Sequence, residues 1–288
     1  MRDQAYNLRQ RMKLQEKQSK TIAIFSGKGG VGKSNFALNF SMELIEKGNK
    51  VLIFDLDIGM GNIDILLGLQ SRKSIMTMLE KKLQISDIIE VGPNNLSYVA
   101  AGTGLSDFFH LDEQGHTYFM EQLQSIINSY DYIIFDLGAG MNEEHLAFIE
   151  AADESIVVTT PEPTSITDAY AAIKRVIVHT QRQKLKLSLM VNRVSNQEEG
   201  QFTYNKLHAV VSKFLQHELH LFGMLPEDSN IREAVKEQKP FTLFNKKTKA
   251  SKAIKKLVEN YPSVETDFNK SEHKFVDRLK SIFTRKVD

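Results

Sequence analysis

The chain has 288 residues, 41% hydrophobic and 25% charged, enough for one large α/β domain with a sizeable core or for two small ones. It has no cysteine, which excludes a disulfide framework and a thiolate metal site; it also lacks the run of about eighteen apolar residues that a membrane span needs and the apolar centre of a signal peptide, so a cytoplasmic location is expected. The net charge of +1 hides a division: residues 1–20 hold six basic and two acidic side chains, 21–245 nineteen and twenty-eight, and 246–288 twelve and six, so an acidic body carries two basic ends.

In chain order, residues 1–20 read as a polar helix whose stripe of Ala5, Leu8 and Met12 is too thin to sustain a fold alone, hence a basic arm. From Thr21 short β-branched runs alternate with helix-length amphipathic segments. The strand candidates are "TIAIFS" (21–26), "KVLIFD" (50–55), "LSYVAAG" (96–102), "YDYIIFD" (130–136), "ESIVVTT" (154–160), "KLSLMVN" (186–192) and "LHLFGML" (219–225). Most are apolar on both faces, the mark of strands in a mostly parallel, twisted sheet with helices on both sides. Helical periodicity fills 33–47, 116–129, 163–180, 201–216 and 246–260, and Pro161, Pro163, Pro226 and Pro240 mark boundaries. One α/β domain over 21–262 is therefore expected. In the remainder, 263–288, the residues Phe275, Val276, Leu279, Ile282 and Phe283 share one helical face, flanked by Lys274, Arg278, Lys280, Arg285 and Lys286. That is the pattern of a helix lying at an anionic membrane surface, or of one packed on the body.

The segment Gly27-Lys28-Gly29-Gly30-Val31-Gly32-Lys33-Ser34 carries the chemistry. Its glycines also satisfy the dinucleotide fingerprint, with Asp55 at about the distance of a ribose-binding acid. The longer match decides: Gly27, four residues, then Gly32-Lys33-Ser34, between an apolar strand and a helix-forming run, is a phosphate-binding loop. Backbone N–H groups surround the phosphates, Lys33 reaches the β- and γ-oxygens and the Ser34 hydroxyl binds Mg²⁺. Two further strand ends qualify for phosphate chemistry, "LIFDLDIGMGN" with Asp55 and Asp57, and "YIIFDLGAG" with Asp136 and two glycines that admit a γ-phosphate. One such aspartate alone reads equally as a helix cap or turn former; three in this order after a phosphate loop favour the site.

Together "KGGVGKS", "DLDIGMGN" and "FDLGAG" resemble the deviant Walker A ATPases of the MinD/ParA group over roughly residues 20–260. The resemblance implies slow, switch-type ATP hydrolysis with Mg²⁺ and an ATP-dependent homodimer, in which Lys28 crosses the interface to the partner's phosphates. It further implies that Asp57 positions the attacking water, that Asp55 and Asp136 hold the Mg²⁺ hydration shell, that Gly138 and Gly140 form the γ-phosphate switch and that Asn62 closes the loop before it. Asn192, Arg193, Pro226 and Glu227 correspond to adenine contacts. Within the group the opening "DQAYNLR" resembles the arm by which the FlhG (YlxH, FleN) branch, which controls flagellar number and placement, stimulates the GTPase FlhF. Asp3, Gln4, Leu8 and Arg9 would meet that GTPase, flagellar basal-body (C-ring) components are expected partners, and the terminal helix would hold the dimer to the membrane reversibly.

The cluster "NKKTKASKAIKK" (245–256) stays open to three readings: a solvated helix face, an anionic-lipid contact, or a DNA-binding face as in a ParA-type partitioning ATPase. The eight histidines form no convincing metal constellation, and a metal-cluster scaffold ATPase lacks its thiolates here.

Overall fold

The computed structural model describes residues 19–57, 61–71, 73–100, 113–180, 185–262 and 275–284. The expected partner-binding arm, with Asp3, Gln4, Leu8 and Arg9, lies outside the described residues, as do Lys274, Arg285 and Lys286.

The first half runs β1 (Lys20–Ser26), α1 (Lys33–Glu46), β2 (Val51–Leu56), α2 (Ile63–Leu67), α3 (Ile75–Lys81), β3 (Glu90–Val91), β4 (Ser97–Val99), α4 (Glu113–Ile126) and β5 (Tyr132–Ala139). The second runs α5 (Glu143–Ala151), β6 (Glu154–Thr159), α6 (Pro163–His179), β7 (Leu187–Val194), α7 (Gln197–Leu215), β8 (Leu219–Pro226), α8 (Ser229–Lys236), α9 (Phe241–Phe244), α10 (Lys249–Asn260) and α11 (Phe275–Thr284). The eight strands form one sheet in the order β3-β4-β2-β5-β1-β6-β7-β8, parallel except for the antiparallel β3–β4 pair. The seven predicted strands are all present.

Strand alternation explains two cores. Ala23, Phe25, Leu52, Phe54, Ile133 and Phe135 turn to one face, covered by α3, α4, α5, α6, α7 and α11. Ile22, Ile24, Ile53 and Ile134 turn to the other, under α1, α2, α8, α9 and α10. Because both faces are covered, the central strands are buried along almost their whole length, which is why they read as continuous apolar runs. Polar caps start several helices: the side chains of Asn142, Asn196, Asp228 and Thr248 accept backbone N–H groups of α5, α7, α8 and α10.

At the N-terminal edge of the sheet, buried Glu154 accepts from the Tyr261 hydroxyl (2.7 Å) and Ser188 (3.0 Å) and pairs with Lys20 and Lys186, tying the end of α10 to β1, β6 and β7. Burial alone would raise its pKa; Lys20, the Tyr261 hydroxyl and Lys186 together hold it below the usual carboxylate value.

The terminal helix takes the second of its two expected places, packed on the body. Phe275, Val276, Leu279 and Ile282 are buried in the core, and Phe283 packs against it. The Phe275 ring stacks on Phe135 at 4.9 Å and meets Phe148 of α5 at 6.2 Å. Arg278 completes the docking, donating to the Ala151 carbonyl and the Asp153 carboxylate at 2.6 Å each. The physical reason is that the apolar face of α11 lies against the Phe135 and Phe148 rings, and an amphipathic face covers aromatic rings as readily as it enters lipid. No described helix is long and apolar enough to cross a membrane.

Candidate nucleotide site

The loop between β1 and α1 lies where the chain changes direction in the sheet, since β1 is flanked by β5 and β6, at the C-terminal ends of the strands. Helix α1 starts at Lys33 with no side-chain cap, so its first N–H groups stay available to an anion. Gly27 is required by packing: a Cβ there would collide with the Asp168 carbonyl, because α6 runs directly against the loop. On the opposite side Asn192 Nδ2 donates to the Val31 carbonyl (2.8 Å) and the Arg193 guanidinium to the Gly30 carbonyl (2.7 Å). Two residues expected at adenine thus clasp the loop itself. Pro226 ends β8 opposite Val194, and Glu227 follows, its N–H bonded to the Val194 carbonyl and its exposed carboxylate 3.9 Å from Arg232.

The two loop lysines are placed differently. Lys33 is buried, with Nζ 2.6 Å from Asp136 Oδ1, 3.3 Å from Ser34 Oγ and 3.9 Å from Asp57 Oδ2. Lys28 turns outward, its Nζ donating to Glu162 Oε2 (3.3 Å) and Thr164 Oγ1 (3.1 Å) at the start of α6. Sequence reasoning missed Glu162 and Thr164; the "PEPTS" run after β6 was read only as punctuation.

Sheet register brings the acids together. Asp55 and Asp136 are neighbours in the β2–β5 pairing, so their carboxylates stand abreast. Burial first, and the Asp136 charge second, raise Asp55 to about 7. Its carboxylate accepts three backbone N–H groups, from Asp57 (3.1 Å), Asn62 (2.7 Å) and Ile63 (3.0 Å), so it also caps the start of α2. Asp57, pushed up by burial, accepts from Asn62 Nδ2 at 3.1 Å. Residues 58–60 of this loop lie outside the described residues.

Beyond Asp136 the strand runs into Gly138 and Gly140. A Cβ on Gly138 would lie 2.9 Å from Asp57 Oδ1 and 3.3 Å from His145 Cε1, so this position has no room for a side chain. His145, 4% exposed, places Nδ1 3.2 Å from the Gly140 carbonyl, and its pKa is lowered chiefly by burial, with the Gly140 and Leu56 carbonyls acting in the opposite sense. No signal in the sequence marked it.

Two carboxylates, Asp57 and Asp136, share one buried lysine, with Asp55 abreast of Asp136, so negative charge is left to be balanced, and Asp136 Oδ2 is buried without a hydrogen-bond partner. Among the described residues no group of three or more His, Asp or Glu side chains could hold a metal by itself. This donor set fits Mg²⁺, which takes one or two carboxylates and completes its shell with phosphate and water.

The family model described as ParA, NUBPL iron-transfer P-loop NTPase, matches residues 17–261. The chain belongs to the MinD/ParA family of P-loop ATPases. It is 32% identical to the antiactivator FleN of Pseudomonas aeruginosa, across 90% of this chain and 92% of that protein. It is 36% identical to the flagellum site-determining protein YlxH of Helicobacter pylori, across 77% of this chain and 74% of that one. Among solved structures, septum site-determining MinD of Pyrococcus horikoshii complexed with Mg-ADP superposes with a TM-score of 0.68 at 25% identity, over 84% of this chain and 95% of that chain. As for iron transfer in the family description, this MinD/ParA chain has no cysteine to ligate a cluster.

Proposed function

We propose that this protein is an ATP-driven dimerising switch of the FlhG (FleN, YlxH) kind that sets flagellar number or placement. The carrying observation is the second loop lysine: Lys28 points out of its own phosphate loop and rests on Glu162 and Thr164, free to be recruited by a second copy. In the dimer its ammonium reaches the partner's phosphates, so binding of ATP and pairing of subunits become one event.

Within each subunit Gly27 to Ser34 cradle the phosphates, and Lys33 exchanges Asp136 for the β- and γ-oxygens, since one ammonium serves the stronger anion. That exchange leaves Asp136, beside Asp55 and Ser34, to face the ion. Mg²⁺, when bound, neutralises the phosphate charge that builds up as the terminal bond breaks. Asp57 orients water, and Gly138 and Gly140 approach the γ-phosphate. Asn62, donating to Asp57, holds that carboxylate in place. Asn192, Arg193, Pro226 and Glu227 border the adenine. Hydrolysis is slow because it resets a switch rather than feeding flux. Asp3, Gln4, Leu8 and Arg9 of the arm engage an FlhF-like GTPase, basal-body components of the C-ring are further partners, and the ATP dimer sits peripherally on the cytoplasmic side of the membrane through α11 once its apolar face has left the body.

Size-exclusion chromatography tests the central claim. With Mg-ATP the wild-type chain should dimerise, Lys28→Ala should stay monomeric while binding nucleotide, and Asp57→Ala should bind and remain trapped as a dimer. An Asp57→Ala chain that binds ATP yet elutes as monomer overturns the reading. A second reading, DNA binding in the ATP state as in ParA-type partitioning, is favoured by the exposed row Lys249, Lys252, Lys255 and Lys256 on α10.

A further inference from the structure

In the segment Gly138-Ala139-Gly140, where β5 ends, two of three residues lack a Cβ, and Gly140, just past the strand, takes φ +92°. Backbone that must meet a γ-phosphate at one geometry needs a restraint from outside, because phosphoryl transfer draws most of its catalysis from positioning. Among the described residues a single side chain hydrogen-bonds the backbone of Gly138 to Met141, and it is His145, through Nδ1 and the Gly140 carbonyl.

Its placement is specific. Asn142 Oδ1 accepts the His145 N–H at 2.8 Å, fixing the first turn of α5 and with it the ring's point of attachment. The ring edge then reaches back to Gly138, where it and the Asp57 carboxylate together border the space a side chain at that position would need. An imidazole is an expensive choice for this position. A leucine would fill the same buried space without a polar atom, whereas here Nε2 is buried with no hydrogen-bond partner. Donation to the Gly140 carbonyl requires the neutral ring to carry its hydrogen on Nδ1, the tautomer on which the inference stands. Peptide planarity carries the effect onward: with the Gly140 carbonyl held toward the imidazole, the Met141 N–H is turned the opposite way.

We propose that His145 is a positioning residue for hydrolysis, its Nδ1–H and ring edge holding the glycine segment in register with Asp57. The inference rests on the ATPase reading above, and its test separates the two. Nucleotide affinity, kcat and KM would be measured for the full chain and for His145→Leu, His145→Asn and His145→Gln, with thermal melting to confirm folding. Asparagine places an N–H donor where Nδ1 stands; glutamine places one nearer Nε2. Leucine and glutamine should lower kcat about tenfold, the upper range for one lost neutral hydrogen bond, with nucleotide affinity unchanged, and asparagine should restore most of it.

In the nucleotide-free wild-type chain, nitrogen-resolved NMR of the histidine ring should show the Nδ1–H tautomer. Equal kcat in all four proteins overturns the inference, as does an equal fall in all three variants, a loss confined to affinity, or an Nε2–H tautomer. If the leucine chain does not fold, asparagine against glutamine still decides. A wild-type chain that hydrolyses no ATP overturns the ATPase reading instead, and the tautomer then still tests the contact.

Discussion

At the scale of single residues the site is a contest for two ammonium groups. Lys33 is buried beside Asp136 and must be drawn off by a stronger anion, while Lys28 is held by one carboxylate and one hydroxyl at the surface. A partly exposed ion pair of that kind contributes at most about 1 kcal/mol, enough to bias Lys28 but not to lock it. Glu162→Ala should therefore lower the ATP concentration needed for half-maximal dimerisation, by up to about fivefold, as read by light scattering across an ATP titration. A requirement that rises or stays the same would show that Glu162 does not restrain Lys28. That Lys33, Ser34, Asp55, Asp57 and Asp136 gather at neighbouring strand ends was legible, because the residue types and their order in the chain specify it. Glu162, Thr164 and His145 were not, because each acts across a contact that only the folded chain creates: Lys28 and Glu162 are 134 positions apart.

At the scale of elements, the seven longer strands were legible, whereas the two-residue β3 and the small connecting helices were not. Burial on both faces writes a strand as an unbroken apolar run, whereas α2, with five residues, and α9, with four, are too short to show a period. The terminal helix was legible as a helix but not in its partner, since periodicity shows that a face is apolar without saying what covers it. Here it covers Phe135 and Phe148. Leu279→Ala should accordingly cost about 2–5 kcal/mol in denaturant unfolding, the penalty for a cavity in a packed core. A change below about 0.5 kcal/mol, the range of surface substitutions, would mean that the helix spends its time away from the body.

At the scale of the whole molecule, α11 and the lysine row of α10 lie on opposite faces of the sheet, so one flat surface cannot engage both through a single rigid subunit. Liposome sedimentation separates their roles. With ATP and anionic vesicles the full chain should pellet more than with ADP, and a chain ending at Asn269 should not; two linked helices strengthen attachment by roughly 10²–10⁴ over one. Equal pelleting of the truncated chain would remove α11 from membrane binding, and salt-sensitive retention on DNA without pelleting would favour the partitioning reading. The absent side chain at Gly27 has a wider consequence. By letting α6 press against the phosphate loop, it welds the outward lysine and its resting place, Glu162 and Thr164, into a single block. The lever and its catch then travel together, so a hinge within the monomer does not draw one from the other; release is left to the lysine's own side chain, which a rival charge arriving from outside can win.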